Sequence, residues 1–248
     1  MRRMMRGTNP MMRYAESATT MNSAYPSTLA SFTLKLLMLG AVLFLSASFS
    51  YFNFLNDGII VGGGAMIFIA PIGAFISLII AMRKPGLAPI FAFVYALLQG
   101  VFIGLISAFY EGTFGDGIVF TALVSTLGVF LSMSLLYRSG LVKVTDRFRR
   151  VMFTALLGLL ITSLLLFVLS LFGAFSGIGL GLLLGISAIS VVVASLYLLI
   201  DLDNIANLIN SGADRQLEWI FALSLMVTLV WLYVELLRLI AILSRRRN

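Results

Sequence analysis

Seven long apolar stretches constrain the fold of this chain more than any other feature. They cover residues 33–55, 59–82, 87–109, 118–137, 151–172, 180–203 and 219–243. About 20 apolar residues are enough for a helix to cross the hydrocarbon core of a bilayer. The runs are continuous, whereas the strands of a membrane barrel alternate in polarity over about 10 residues. The pattern therefore predicts an all-α, polytopic membrane bundle of seven transmembrane helices.

Composition supports this prediction and defines three regions. The chain is 60% hydrophobic and only 11% charged, while soluble domains are about 25% charged. We expect a basic polar tail at 1–32, a seven-helix transmembrane domain at 33–243 and a basic C-terminal tail at 244–248. The first tail is predicted to lie free in the cytoplasm, with binding to anionic lipid as the alternative.

The absence of cysteine and histidine excludes several classes of chemistry. It removes disulfides, thiolate or imidazole metal sites, and Ser-His or Cys-His catalysis. Paired acids could serve an aspartyl-type protease, but no second motif supports cleavage. We therefore expect no enzyme and no resident cofactor. The net charge of +7 could suggest a nucleic-acid partner, but a basic membrane face explains it better.

The distribution of Lys and Arg predicts the orientation in the membrane. Five lie between the N-terminus and Lys35, two in the 2–3 loop, five in the 4–5 loop, one in the 6–7 loop and none in the three intervening loops. Basic loops face the cytoplasm, so the N-terminus is predicted to be cytoplasmic, with Lys35 snorkelling toward that surface. The last stretch either crosses, despite its terminal arginines, or is re-entrant; we favour crossing.

Small and polar residues within the spans suggest helix contacts. Gly100 and Gly104 form a small-xxx-small face, and the glycine runs at 62–64 and 181–185 are likewise interpreted as packing sites rather than phosphate loops. Gln99 lies beside the first of these motifs. It is predicted either to make an interhelical hydrogen bond or to line a polar lumen.

Asp201 and Glu235 are the candidate functional residues, because ionisable groups at membrane depth are costly and commonly functional. Asp201 ends an unbroken apolar run, and Glu235 lies within the last span. For Glu235 the alternative is an ion pair with Arg238, one turn away. Asp203 is either a solvated acid or part of the site.

Two facing carboxylates could share a proton, hold a gap between helices shut and open it when both ionise. Carboxylate oxygens also suit Ca²⁺, so Asp201 and Glu235 form a candidate weak calcium site. A contact between the two acids is geometrically difficult. Asp201 lies where the sixth span reaches the cytoplasmic side, and the seventh span leaves that side near Trp219, which is roughly 24 Å along the helix from Glu235. The pair would meet only if the last helix begins well outside the membrane or bends.

Four segments carry a resemblance to a known family. They are YALLQGVFIGLIS at 95–107, LYRSG at 136–140, LIDLDNI at 199–205 and LYVE at 232–235. With them, the region from Pro89 to the C-terminus resembles the transmembrane Bax-inhibitor-motif proteins, including the bacterial YccA-like members. Asn9-Pro10 is similar to a bacterial branch.

The resemblance implies a seven-helix fold with the last helix central, in the inner membrane of a bacterium. It also implies a pH-sensitive calcium leak controlled by paired acids. Asp201 matches the sixth-helix aspartate, Glu235 stands where the family has an aspartate, and Gln99 replaces a common glutamate. Supporting candidates are Asp203, Arg238 and Gln99. The alternative function is a non-transporting regulator that binds and restrains a membrane protease or another membrane complex.

Overall fold

The structure, a computed structural model, describes residues 26–58, 60–171 and 180–245. Within them it forms α1 (Leu29–Asp57), α2 (Met66–Arg83), α3 (Ala88–Phe114), α4 (Ile118–Arg138), α5 (Asp146–Leu171), α6 (Leu180–Asn210) and α7 (Leu217–Arg245). All seven are long and apolar enough to cross a membrane, which confirms the predicted fold class. Residues 1–25 of the predicted N-terminal tail and residues 246–248 of the predicted C-terminal tail lie outside the described residues, and so does the interpretation of the N-terminal tail as free or bound to lipid.

Local capping chemistry sets the ends of α1. Thr28 is the N-cap, and its hydroxyl accepts a hydrogen bond from the Ser31 N–H at 3.2 Å. At the other end Gly58 adopts a left-handed conformation, with φ at 65°, which glycine tolerates without a steric cost. α1 therefore begins four residues earlier than the apolar run indicates, because the Thr28 cap starts the helix at Leu29.

The last helix is central, as the resemblance implied. Its most apolar stretch is 72% buried, against 6–44% for the other six spans in the described chain. α7 packs against α1, α3, α4 and α6, whereas α5 packs mainly on α6 at the periphery. The side chains of α7 are thus surrounded by protein, and most of α5 faces the surroundings of the bundle.

The Gly100–Gly104 motif is confirmed as a close helix contact. A Cβ at Gly100 would lie 2.5 Å from the Leu43 carbonyl oxygen, and one at Gly104 would lie 2.2 Å from that of Ala47. The hydroxyl of Ser46 donates to the Leu97 carbonyl at 2.6 Å across the same contact. Because Gly100 and Gly104 have no side chains, the backbones of α1 and α3 can approach each other closely.

The packing prediction for the other two glycine runs is wrong. Gly62 and Gly63 have positive φ angles of 80° and 84° and form the turn before α2. Added Cβ atoms at Gly181 and Gly185 would meet no atom of the described residues within 4 Å. The prediction rested on the apolar residues around these glycines, which assigned them to spans. Whether a small residue makes a close contact depends instead on the position of the neighbouring helices.

One end of the bundle collects the basic loops, and we call it the basic end. It contains the start of α1 and the loops at 84–87, 139–145 and 211–216. Pro26 pairs with Asp214 as an isolated β-bridge, and the Ser27 N–H donates to the Ala213 carbonyl at 2.8 Å. The chain before α1 is thereby attached to the loop between α6 and α7.

Candidate functional site

Asp201 lies inside the bundle and joins α6 to α7. The residue is 6% exposed. Its Oδ2 accepts a hydrogen bond from Thr228 Oγ1 at 2.5 Å, and its Oδ1 accepts one from Ser224 Oγ at 3.4 Å. Both donors belong to the central helix. A buried carboxylate is thus held by hydroxyl groups and forms no ion pair within the described chain.

Glu235 is also buried, at 8% exposure, but its partners are of a different kind. Its carboxylate forms an ion pair with Arg238 one turn further along α7, and it accepts a hydrogen bond from Trp231 Nε1 at 3.2 Å. The internal ion pair that the sequence offered as an alternative is therefore present. Within the described chain, Arg238 Nε is buried and has no hydrogen-bond partner.

The structure does not bring Asp201 and Glu235 together. Asp201 on α6 accepts a hydrogen bond from Thr228 on α7. Glu235 lies two turns beyond Thr228 on the same face of α7, which is a rise of roughly 10 Å. No group of three or more acidic side chains able to hold a metal ion occurs in the described part of the chain. The predicted contact between the two carboxylates is therefore not formed in this structure. A calcium site that needs both carboxylates is not assembled either.

Asp203 is not a freely solvated acid, because α5 and α6 meet around it at the basic end. It forms an ion pair with Arg149, which also donates to Asn204 Oδ1 at 2.7 Å. Tyr137 donates its hydroxyl to Asp203 Oδ1 at 3.2 Å. These contacts fix the first turn of α5 against α6 at the basic end.

Gln99 lies half-buried on α3, one residue before the glycine contact with α1. Among the described residues its side chain has no hydrogen-bond partner. The interhelical hydrogen bond predicted for it is not formed there, and a role in a polar lumen stays a prediction.

A buried ion pair between α1 and α7 was not predicted from the sequence. Lys35 Nζ lies 2.7 Å from Glu218 Oε2, with the two side chains 11% and 0% exposed. Glu218 also accepts from the Thr28 N–H at 2.7 Å, and Lys35 donates to the Arg215 carbonyl at 2.8 Å. Lys35 therefore does not snorkel to the surface. The sequence showed Lys35 and Glu218 as single charges at the starts of two apolar runs. That these two charges pair depends on how the helices pack.

A search of curated proteins gives no match. The family model described as "Bax inhibitor 1 like" matches residues 9–245, which include all seven helices and both candidate acids. On that match the chain belongs to the Bax inhibitor 1 like family.

Proposed function

We propose that this protein is an ion-homeostasis protein of the bacterial inner membrane that leaks calcium in a pH-dependent manner. The observation that carries the proposal is the buried Asp201 carboxylate, hydrogen-bonded across α6 and α7 by Thr228 and Ser224. An acid at membrane depth is costly, so a functional role is the default hypothesis for it.

Proton binding at Asp201 would change how the two helices are joined. An ionised carboxylate only accepts hydrogen bonds, whereas its protonated form carries one O–H donor. The hydroxyl on the oxygen that takes up the proton would have to reorient and accept, while the other hydroxyl could still donate to the second oxygen of Asp201. The junction between α6 and the central helix is therefore a suitable place for a proton-sensitive gate.

Oxygen chemistry supports calcium as the transported ion. Ca²⁺ takes six to eight oxygen ligands at about 2.3–2.6 Å, and the groups at this junction offer oxygen alone. A single carboxylate with two hydroxyls would bind the ion weakly, as a permeation site requires, because conduction needs an ion to leave as well as to enter. Arg238 neutralises the charge of Glu235. Glu235 would therefore contribute to the ion path further along α7, and not at the Asp201 site.

Flux into proteoliposomes that contain a calcium dye tests the proposal. The wild-type protein is expected to give a calcium leak that changes with pH, and Asp201→Asn is expected to remove the pH dependence. Asp116→Asn is the control, because Asp116 lies in an exposed turn between α3 and α4. An unchanged pH profile in Asp201→Asn would eliminate Asp201 as the gate.

The regulator of a membrane protease is the competing function. Its signature would be the absence of flux from the wild-type protein at every pH, together with co-purification of a protease in a fixed ratio. That combination would replace the leak as the function of this chain.

A further inference from the structure

A polar stripe on α7 faces α6 and links the two acids. Its members are spaced by three or four residues and therefore share one face of the helix: Ser224, Thr228, Trp231 and Glu235. Ser224 and Thr228 contact Asp201 at one end of the stripe. Glu235 pairs with Arg238 at the other end. Trp231 lies between these two polar regions.

Trp231 meets an aromatic ring from α6. The rings of Tyr197 and Trp231 pack edge to face, with centroids 6.1 Å apart and planes inclined by 68°. Tyr197 lies one turn before Asp201 on α6, and Trp231 lies one turn before Glu235 on α7. The aromatic pair therefore occupies the level of the bundle between the two carboxylates.

The surroundings of this pair are apolar. Trp231 and Tyr197 pack against a buried cluster of Met152, Val193 and Ile200, in which Met152 comes from α5. The peripheral helix α5 thus covers the pair on one side. An ion that moved along the polar stripe from Asp201 toward Glu235 would meet an apolar segment occupied by two large, partly buried rings.

Glu235 fixes the position of the indole. Trp231 Nε1 donates to Glu235 Oε1 at 3.2 Å, and the other oxygen of that carboxylate is engaged by Arg238. Trp231 is partly buried, and an indole N–H that is kept from water needs an acceptor. The Glu235 carboxylate is that acceptor, and it holds the ring at the level of Tyr197. The Glu235–Arg238 pair is therefore more than a neutralised charge, because it orients the ring.

We propose that Tyr197 and Trp231 form the closed barrier of the conduction path between α6 and α7, and that Glu235 positions Trp231 in it. This inference rests on the proposed leak, for which it names the barrier. Hydrophobic constrictions close ion pathways by excluding water. Glu235 is then a positioning residue, and Asp201 lies on the other side of the barrier.

Calcium flux into dye-loaded proteoliposomes, compared between Trp231→Ala and wild type, tests the barrier. Trp231→Ala is expected to raise the flux several-fold, and Trp231→Phe, which keeps a ring but loses the N–H, is expected to raise it less. Phe120→Ala is the matched control for loss of an aromatic side chain, because Phe120 is 71% exposed on α4. Size-exclusion chromatography selects folded samples of every variant.

The outcomes separate this inference from the proposed function. Flux from Trp231→Ala above a wild type that gives none would support the barrier and overturn the native leak. Equal, non-zero flux from both proteins would keep the leak and overturn the barrier. Flux from neither protein would overturn both.

Fluorescence provides a test of the positioning role that does not depend on flux. The chain has two tryptophans, so Trp219→Phe leaves Trp231 as the single indole fluorophore. In that background Glu235→Leu, which removes the acceptor, is expected to shift the emission maximum and increase access to a neutral quencher. Unchanged emission and quenching would show that Glu235 does not position the ring.

Discussion

Lys35 on α1 and Glu218 on α7 form an ion pair that spans 183 positions of sequence and lies inside the protein. The ammonium group of Lys35 also lies 5.2 Å from the centre of the Trp219 ring. Arg215, three residues before Glu218, donates from Nε to Ser31 Oγ at 2.8 Å. The first helix is therefore attached to the start of the central helix by a group of charged contacts.

Removal of one member of this pair should destabilise the protein strongly. Lys35→Met leaves Glu218 buried without its cation, which typically costs about 3–5 kcal/mol. The double variant Lys35→Met with Glu218→Gln removes both charges and should regain most of that loss. Thermal unfolding of the purified protein in detergent measures both. Equal stability of the single variant and the wild type would contradict the buried pair.

The contact of α1 with α3 should not tolerate a side chain at Gly104. Gly104→Ala places a Cβ 2.2 Å from the Ala47 carbonyl oxygen, and overpacking of this kind typically costs about 1–3 kcal/mol. Gly128→Ala is the control, since a Cβ there meets no atom within 4 Å among the residues that the structure describes. Melting temperatures in detergent should fall for Gly104→Ala alone. A similar change in both variants would argue against the close approach.

The hydroxyl of Thr228 should contribute more to stability than an ordinary threonine hydroxyl in a helix. Thr228→Val removes the donor to Asp201, and hydrogen bonds to charged groups contribute about 1.5–3 kcal/mol. Thr126→Val is the matched control, because Thr126 is similarly buried and donates only to the carbonyl of its own helix at Ala122. Denaturation with sodium dodecyl sulfate compares the two. A larger loss in Thr126→Val would refute the role given to Thr228.

The ion pair between Arg149 and Asp203 should hold the start of α5 in place. Arg149→Ala removes this pair and the bond to Asn204, so trypsin should cut the 139–145 loop at Lys143 faster. Arg150→Ala is the control, because it also deletes one trypsin site and its side chain is exposed. Fragment mass spectrometry over a time course gives the rates. Equal rates in the two variants would show that the pair does not restrain α5.

The orientation in the membrane can be tested because the chain contains no cysteine. Ser139→Cys lies in an exposed loop of the basic end, and Asp116→Cys lies in an exposed turn at the opposite end. Basic loops face the cytoplasm, so in intact cells an impermeant maleimide should label only Asp116→Cys. Both variants should be labelled after permeabilisation. Labelling of Ser139→Cys in intact cells would reverse the predicted orientation.

The sequence determined the number and type of the elements. Seven apolar runs predict seven spanning helices because lipid offers no partners for backbone polar groups, which a helix must satisfy internally. The Gly100–Gly104 spacing likewise predicted a close contact, since both glycines share one helix face and small residues allow backbones to approach. The Glu235–Arg238 pair could also be predicted from the sequence, because its two residues are one turn apart on one helix.

Tertiary structure decided which distant groups meet. Hydropathy depends on each residue and its neighbours in sequence, whereas the partners of Asp201, Glu218 and Asp203 depend on how helices rotate and pack against one another. Packing places Thr228 and Ser224 on Asp201, two turns short of Glu235, and it brings Lys35 to Glu218. Within the described part of the chain, the same packing leaves no atom within 4 Å of a Cβ added at Gly181 or Gly185, although their sequence resembles a packing motif. The charges were visible in the sequence, but their partners were set by the geometry of the bundle.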